Sequence, residues 1–250
     1  MRSADYGIDA PNMQRALWIF GALGVALAFA YPPLGQYTVY VGAAFLASAL
    51  VMFWGSKVGK LKAVERMLNE FPWTGNERVL DVGCGRGLPL ISVARRLIKG
   101  RATGVDVWRD VDLANNRMER TLENISIERV GNRADVRDGD ARELPFEDET
   151  FDAVVSSWAV HNIAVRSGRM QAIREMVRVL RPGGWIGILD IEDTKDYVSE
   201  LRALGMLSVT RKGPSFLFLI PTYQVTAWKP EPERTGEEEA AKEEAVPVMA

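Results

Sequence analysis

Val79-Leu-Asp-Val-Gly-Cys-Gly-Arg-Gly87 decides the fold. The apolar pair Val79-Leu80 leads into Asp81, glycines fall at 83, 85 and 87, and an apolar run from Leu88 to Ala94 follows. This order predicts a buried strand, a tight glycine turn and a helix start, the arrangement with which doubly wound α/β proteins bind nucleotides. Glycine lets the backbone take positive φ and lets a ligand approach the chain. Free N–H groups at the helix start favour a ligand that carries negative charge. Two other nucleotide turns fit poorly. A dinucleotide fingerprint has its third glycine three residues after the second, whereas Gly87 follows Gly85 by two and Leu88 replaces a small residue. A P-loop requires a Gly-Lys-Ser/Thr sequence, and none follows here.

The stations downstream narrow the ligand. Residues 102–107 read as a second strand ending in Asp106, about 20 residues past the glycines, where an acid accepts hydrogen bonds from ribose hydroxyls. Asp138-Gly-Asp-Ala-Arg-Glu-Leu-Pro-Phe146 comes next, then Phe151-Asp-Ala-Val-Val-Ser-Ser157 and Val179-Leu-Arg-Pro-Gly-Gly-Trp-Ile-Gly-Ile-Leu-Asp190. An acid two residues ahead of Gly-x-Gly-x-Gly, followed by these stations in order across residues 75–228, resembles the class I S-adenosylmethionine-dependent methyltransferases. Within that family the chain looks like the type 11 small-molecule and lipid branch. The Asn/Asp-Pro-Pro-Tyr motif frequent in the nucleic-acid branch is absent.

The resemblance implies a fold, a cofactor and a set of residues. The fold is a Rossmann-like, mostly parallel sheet of seven strands closed by an antiparallel edge hairpin, here Met206–Arg211 and Ser215–Trp228. The cofactor is S-adenosyl-L-methionine, with S-adenosyl-L-homocysteine as product. Asp81 and the turn of Gly83, Cys84, Gly85 and Gly87 would hold its methionine and ribose portions, and Asp106 the ribose hydroxyls. Val107 follows Asp106, and Trp108 packs either beside the adenine or in the core. Asp140 and Ala141 would lie against the adenine, and Ser156 sits on the strand facing the reacting methyl.

His161 is the sole histidine, just past the fourth strand in Ser156-Ser-Trp-Ala-Val-His-Asn-Ile163. That is the carboxyl edge of a parallel sheet, where open α/β folds bind ligands. Imidazole is a usable general base near neutral pH, and the alternative is a histidine that only orders its loop. Trp158 and Asn162 are expected beside it in a substrate pocket. Asp190, Glu192 and Asp193 end the next strand, where they could reach the acceptor, and a solvated strand end is the favoured reading. Cys84 faces the cofactor and is not expected to act as a nucleophile. No His/Cys cluster suggests a metal site. One cysteine permits no internal disulfide, and a net charge of −2 gives no argument for nucleic acid.

A second feature lies upstream. No charged residue occurs between Arg15 and Lys57, and Pro32-Pro33-Leu-Gly35 divides that stretch. Residues 16–31 and 37–54 are each about long enough to cross a ~30 Å bilayer core as helices. Trp18, Tyr31, Tyr37, Tyr40, Phe53 and Trp54 lie towards the segment ends, where amphipathic rings favour headgroups. Gly21, Gly24, Gly42, Ala43 and Ala47 offer a close helix contact. A cleaved signal peptide, with Ala28-Phe-Ala30 as its site, is the first alternative. A second apolar segment at once behind it speaks against that reading. A soluble helical cap is the second alternative, but a cap normally carries charge on its solvent face.

The expected organisation is an N-terminal cytosolic segment (1–15), a transmembrane hairpin (16–54), a basic amphipathic linker helix (55–74), a catalytic domain (75–229) and an acidic disordered tail (230–250). Arg15 before the hairpin and Lys57, Lys60, Lys62 and Arg66 after it put both termini and the catalytic domain in the cytosol. The linker's Lys57, Lys60, Lys62 and Arg66 are candidates for contact with anionic headgroups; the alternative, which can hold beside it, is the usual first helix packed on the sheet with a solvated basic face. The expected partners are the lipid bilayer and a small lipophilic acceptor such as a quinone precursor, isoprenoid or lipid. The oligomeric state is not legible.

Overall fold

The computed structural model describes residues 3–109, 116–216 and 219–232. At its centre is β1 (Arg78–Val82), buried along almost its whole length. It pairs in parallel with β2 (Arg101–Asp106) on one side and β4 (Phe151–Ser157) on the other. Parallel pairing continues from β2 to β3 (Ala134–Asp138) and from β4 to β5 (Leu180–Asp190). β7 (Pro221–Trp228) runs antiparallel to β5 and carries β6 (Leu207–Phe216) at the sheet edge. The order β3-β2-β1-β4-β5-β7-β6 is the seven-stranded mixed sheet with an antiparallel edge that the sequence leads one to expect.

Side chains alternate across a strand, and here the alternation divides the core in two. Val79, Ala153 and Val155 point to one side, packing with α3 (Lys60–Leu68) and α4 (Leu88–Ala94). Leu80, Val82 and Val154 point to the other, packing with α6 (Arg166–Val179) and α7 (Thr194–Ala203). α5 (Met118–Ile127) follows β2 and covers β3.

The edge hairpin turns later than the sequence suggests. Gly213-Pro214, which that reading leaves between its two strands, lies inside β6 at a register shift between Lys212 and Ser215. Proline removes a ladder donor, which an edge strand with an irregularity tolerates.

Ahead of the sheet stand two long helices, α1 (Pro11–Ala30) and α2 (Pro32–Trp54), separated only by Tyr31. Hydropathy places their starts at residues 16 and 37. The helices begin earlier because each opens on proline, whose fixed φ and missing N–H suit a first helical turn. Pro32-Pro33 is thus the first turn of α2 and not a separate loop. The two helices meet at glycine: a Cβ on Gly24 would come within 2.8 Å of the Cα of Gly42. Buried positions are few, Gln14 and Gly21 on α1 and Gly42, Ala49 and Met52 on α2. Large apolar side chains point outward instead, with Phe29 82% and Tyr40 75% exposed. By length and composition both helices could cross a membrane.

α2 continues without a break through a π-helical turn, Gly55–Gly59, into α3, giving one helix of 37 residues from Pro32 to Leu68. The expected linker helix is therefore a packed element. Ala63, Val64, Met67 and Leu68 are buried against the sheet, and Phe71 beyond them stacks on Trp228 at 5.8 Å. Lys60, expected to face headgroups, is buried. Most of the acidic tail, from residue 233 on, lies outside the described residues.

Candidate active site

The strands end in a cavity of about 450 Å³ at the carboxyl edge of β1, β2 and β4, where open α/β sheets bind ligands. The glycine turn forms its floor. Gly83 (φ +70°) and Gly87 (φ +81°) take the left-handed conformation that favours glycine. The turn is tied back by Gly83 N and Cys84 N, which both donate to Val105 O, at 2.8 and 3.0 Å. A Cβ on Gly83 would sit 2.2 Å from the Cβ of Ala159, on the facing loop. The glycine is needed there for conformation and for space together.

Asp106 ends β2 against this turn. Its Oδ2 accepts Gly85 N–H at 2.8 Å, while Oδ1 accepts Trp108 N–H at 2.7 Å and the Asn116 amide at 3.1 Å. Asn116 is buried on the cavity wall with its own Oδ1 unpartnered among the described residues. Asp140 and Ala141 line the same cavity. The Arg142 guanidinium grips the Asp140 carboxylate, with Nη2 at 2.6 Å from Oδ2, and holds it below the usual carboxylate range.

Asp81 stands behind the turn, not on the cavity. It is buried, and its Oδ2 accepts Leu90 N–H at 2.9 Å, capping the first turn of α4 from the neighbouring strand. Its Oδ1 has no partner among the described residues. Burial pushes Asp81 up to about 8; the Leu90 N–H opposes this and the charge of Asp106 adds to it. Burial likewise pushes the Cys84 thiol well above its usual value, which leaves it a poor nucleophile.

Of the residues expected at the site, Gly83, Cys84, Gly85, Asp106, Val107, Asp140, Ala141, Trp158 and Asn162 line this cavity together. Asp81, Gly87, Trp108, Ser156 and His161 do not, and each has a local reason. Gly87 is the N-cap of α4. Trp108 turns its indole N–H to Asp138 at 2.6 Å. Ser156 is buried and donates to Val82 O at 2.8 Å, joining β4 to β1. His161 lies in a 3-10 turn, Val160–Asn162, whose neighbours line the cavity, and its ring is held from behind. Nδ1 is 2.5 Å from Asp190 Oδ1, and His161 N donates to Asp190 Oδ2 at 3.1 Å.

Asp190 is fully buried, contrary to its reading as a solvated strand end. It also accepts Ile191 N–H at 2.8 Å and the Tyr197 hydroxyl at 3.1 Å, so a full set of donors holds it. Sequence reading also missed Tyr6, Asp9, Lys60, Arg109 and Asn116, all on the cavity wall. On α5, Thr121 donates to Gly85 O at 2.5 Å and Asn124 to Arg86 O at 2.9 Å. Two polar residues three apart on a helix face were a signal that could have found that contact.

Residues 80–188 match a family model described as a methyltransferase domain. Over that stretch the chain is similar to methyltransferases. The chain is 33% identical over 130 residues to Methyltransferase GfsG of Streptomyces halstedii, covering 52% of this chain and 43% of that protein. It is 32% identical to the 27-O-demethylrifamycin SV methyltransferase of Amycolatopsis mediterranei, over 52% of this chain and 44% of the relative. Demethylmenaquinone methyltransferase of Roseiflexus castenholzii is 36% identical over 46% of this chain and 42% of its own. The chain thus spans less than half the length of these relatives. Among solved structures, the [4+2]-cyclase SpnF shares the fold with a TM-score of 0.56 at 21% identity, covering 69% of this chain and 82% of that one. A geranyl diphosphate methyltransferase in complex with its cofactor gives 0.55 at 14% identity, over 68% and 85%.

The cavity suits the methyltransferase domain's cofactor. Its volume falls in the range of about 300–1,000 Å³ usual for small-molecule sites. Buried acceptors, Asp106 and the Asn116 Oδ1 that lacks a partner among the described residues, meet a turn in which added side chains would clash. Hydroxyl donors on a ribose are what such acceptors need.

Proposed function

We propose that the chain is a membrane-anchored methyltransferase that moves a methyl group from S-adenosylmethionine to a small lipophilic acceptor. The observation that carries the reading is the shared wall of Asp106, Asp140-Ala141 and the glycine turn, with the Trp158–Asn162 loop facing it. Asp106 and Asn116 hold the ribose, and the glycine turn admits the methionine portion. Asp81 fixes α4 and the turn from behind. S-adenosylmethionine supplies an electrophilic methyl on a sulfonium, so positioning contributes much of the acceleration, ~7–11 kcal/mol for well-oriented groups.

His161 is the base of the reading. Its Nδ1 faces the buried Asp190 carboxylate; in the tautomer that donates Nδ1–H to Asp190, Nε2 would take the proton from a hydroxyl, phenol or carbon acid. Asp190 fixes the tautomer and the ring orientation and stabilises the imidazolium once it forms. Trp158 and Asn162, on the same loop, shape the acceptor pocket.

Exposure of apolar side chains around α1 and α2 supports the anchor, because a soluble helix buries one face. Relatives named for a rifamycin and for demethylmenaquinone support a small, largely apolar acceptor. The orientation with both termini and the catalytic domain in the cytosol rests on the basic flanks. A second reading is a membrane-tethered cofactor-binding scaffold without turnover, since a wall that binds the donor does not by itself move the methyl group. Tritiated-methyl transfer into a membrane lipid extract separates the two. A labelled lipid supports the enzyme, and micromolar S-adenosylhomocysteine binding with no labelled product supports the scaffold.

A further inference from the structure

Part of the cavity wall lies far outside the family-matched residues. Tyr6 and Asp9, on a strap of chain ahead of α1, line the cavity with Lys60, the first residue of α3. Lys60 is only 4% exposed. Its ammonium donates to Tyr6 O at 2.8 Å, Gly7 O at 3.2 Å and the Asp9 carboxylate at 3.0 Å. Those three bonds use every proton the group carries. A buried ammonium is costly unless fully paired, so the lysine and the strap backbone hold each other in one arrangement.

Two further fastenings join the strap to the glycine turn. Asn124 is buried on α5. Its Oδ1 accepts Asp5 N–H at 3.0 Å, and its amide donates both to Asp5 O at 3.1 Å and to Arg86 O at 2.9 Å. The Asp5 carboxylate takes Arg86 at 2.8 Å and Lys57 at 3.0 Å. Asp9 N–H reaches Ser56 Oγ at 3.1 Å, within the π-helical turn below α2. Asn124 and the Arg86–Asp5 pair therefore tie the strap to the glycine turn, while Lys60 and Ser56 tie it to the long helix.

We propose that strap residues 5–9 are a working part of the methyl-donor site and that Lys60 is the positioning residue that keeps them there. The proposal rests on the donor occupying this cavity. Lys60 acts through Tyr6, Gly7 and Asp9, so it governs how tightly the donor is held and leaves the transfer step itself alone.

The test uses the full chain in detergent or lipid nanodiscs, with S-adenosylhomocysteine binding measured by calorimetry and steady-state transfer measured against S-adenosylmethionine. Lys60→Met keeps a stem of similar size without the cation. It is expected to raise the Kd for S-adenosylhomocysteine and the KM for S-adenosylmethionine by about tenfold, the scale of one lost charge-assisted contact. The kcat should stay within about twofold, since the transition-state contacts are untouched. Lys60→Arg, which still donates to the carbonyls, should recover part of the affinity. A folded Lys60→Met protein with wild-type Kd and KM overturns the proposal. Should that variant not fold, Asp9→Asn at a partly exposed partner carries the same expectation, and an unchanged Kd there overturns it equally. Wild-type protein that binds no S-adenosylhomocysteine overturns the underlying cofactor reading, and this one with it.

Discussion

Nδ1 of His161 lies 2.5 Å from Oδ1 of Asp190, a carboxylate that is fully buried at the end of β5. The pair spans two strands, because His161 follows β4 and its loop is anchored on the neighbouring strand. Replacing His161 by alanine is expected to lower kcat by ~10²–10⁴-fold, the usual range for a lost general base. S-adenosylhomocysteine affinity should stay within about twofold, because Asp106 and the glycine turn are untouched. Single-turnover transfer together with calorimetry checks both halves, and an equal loss of binding would assign His161 to loop order alone.

Gly83 provides a sharper test of the turn. With φ at +70° and an added Cβ 2.2 Å from Ala159, Gly83→Ala meets backbone strain and a collision at once. Strain of this kind costs ~1–3 kcal/mol. The Trp158–Asn162 loop must shift to relieve it, so S-adenosylhomocysteine protection against heat should largely disappear. Differential scanning fluorimetry with and without the ligand reads both effects.

Asp81 makes stability depend on pH in an unusual direction. Its folded value is pushed from 3.8 to about 8, so between those limits the folded chain holds a proton that the unfolded chain has lost. The unfolding free energy therefore falls as pH rises through that window. Asp81→Asn keeps an acceptor for Leu90 N–H and carries no such penalty. Its Tm advantage over wild type should widen from near zero at about pH 4 to several degrees at about pH 8. Parallel thermal melts across that range settle the matter, and a constant gap would show that Asp81 is ionised in the fold.

Removal of residues 1–54 is expected to leave a protein that stays in solution after a carbonate wash, with the exposed apolar side chains of α1 and α2 gone. The same cut removes Tyr6, Gly7 and Asp9, the partners of Lys60. The truncated domain should therefore bind S-adenosylhomocysteine about tenfold more weakly than the full chain. Retention in the membrane fraction would mean that another surface also anchors it.

What the sequence displayed was local in character. The glycine turn, the acid ending β2 and the alternation that divides the core each follow from a few adjacent residues, and the sheet formed around them. Contacts between distant residues were hidden. Asn124 meets Asp5 across 119 positions and Lys60 meets Tyr6 across 54, and neither pair leaves a spacing to read. Lys60 looked like a flanking cation because only the fold brings three oxygen acceptors to it. Asp190 looked solvated for a related reason, since its donors include His161 from the loop after β4 and Tyr197 from α7 as well as the adjacent Ile191 N–H. The helix starts were misjudged for a simpler cause: hydropathy ignores how readily proline opens a helix.

The unbroken helix from Pro32 to Leu68 has a mechanical consequence. Lys60 lies six positions past Trp54 on it, about 9 Å further along at 1.5 Å per residue. With α2 in the bilayer, the shaft holds the reaction chamber at a fixed height, just above the headgroup layer. So anchored, the catalytic unit would not move on a loose tether. Under the proposed anchor, encounters with a lipophilic acceptor would become a two-dimensional search in the plane of the membrane, limited to molecules whose reactive end rises to that height.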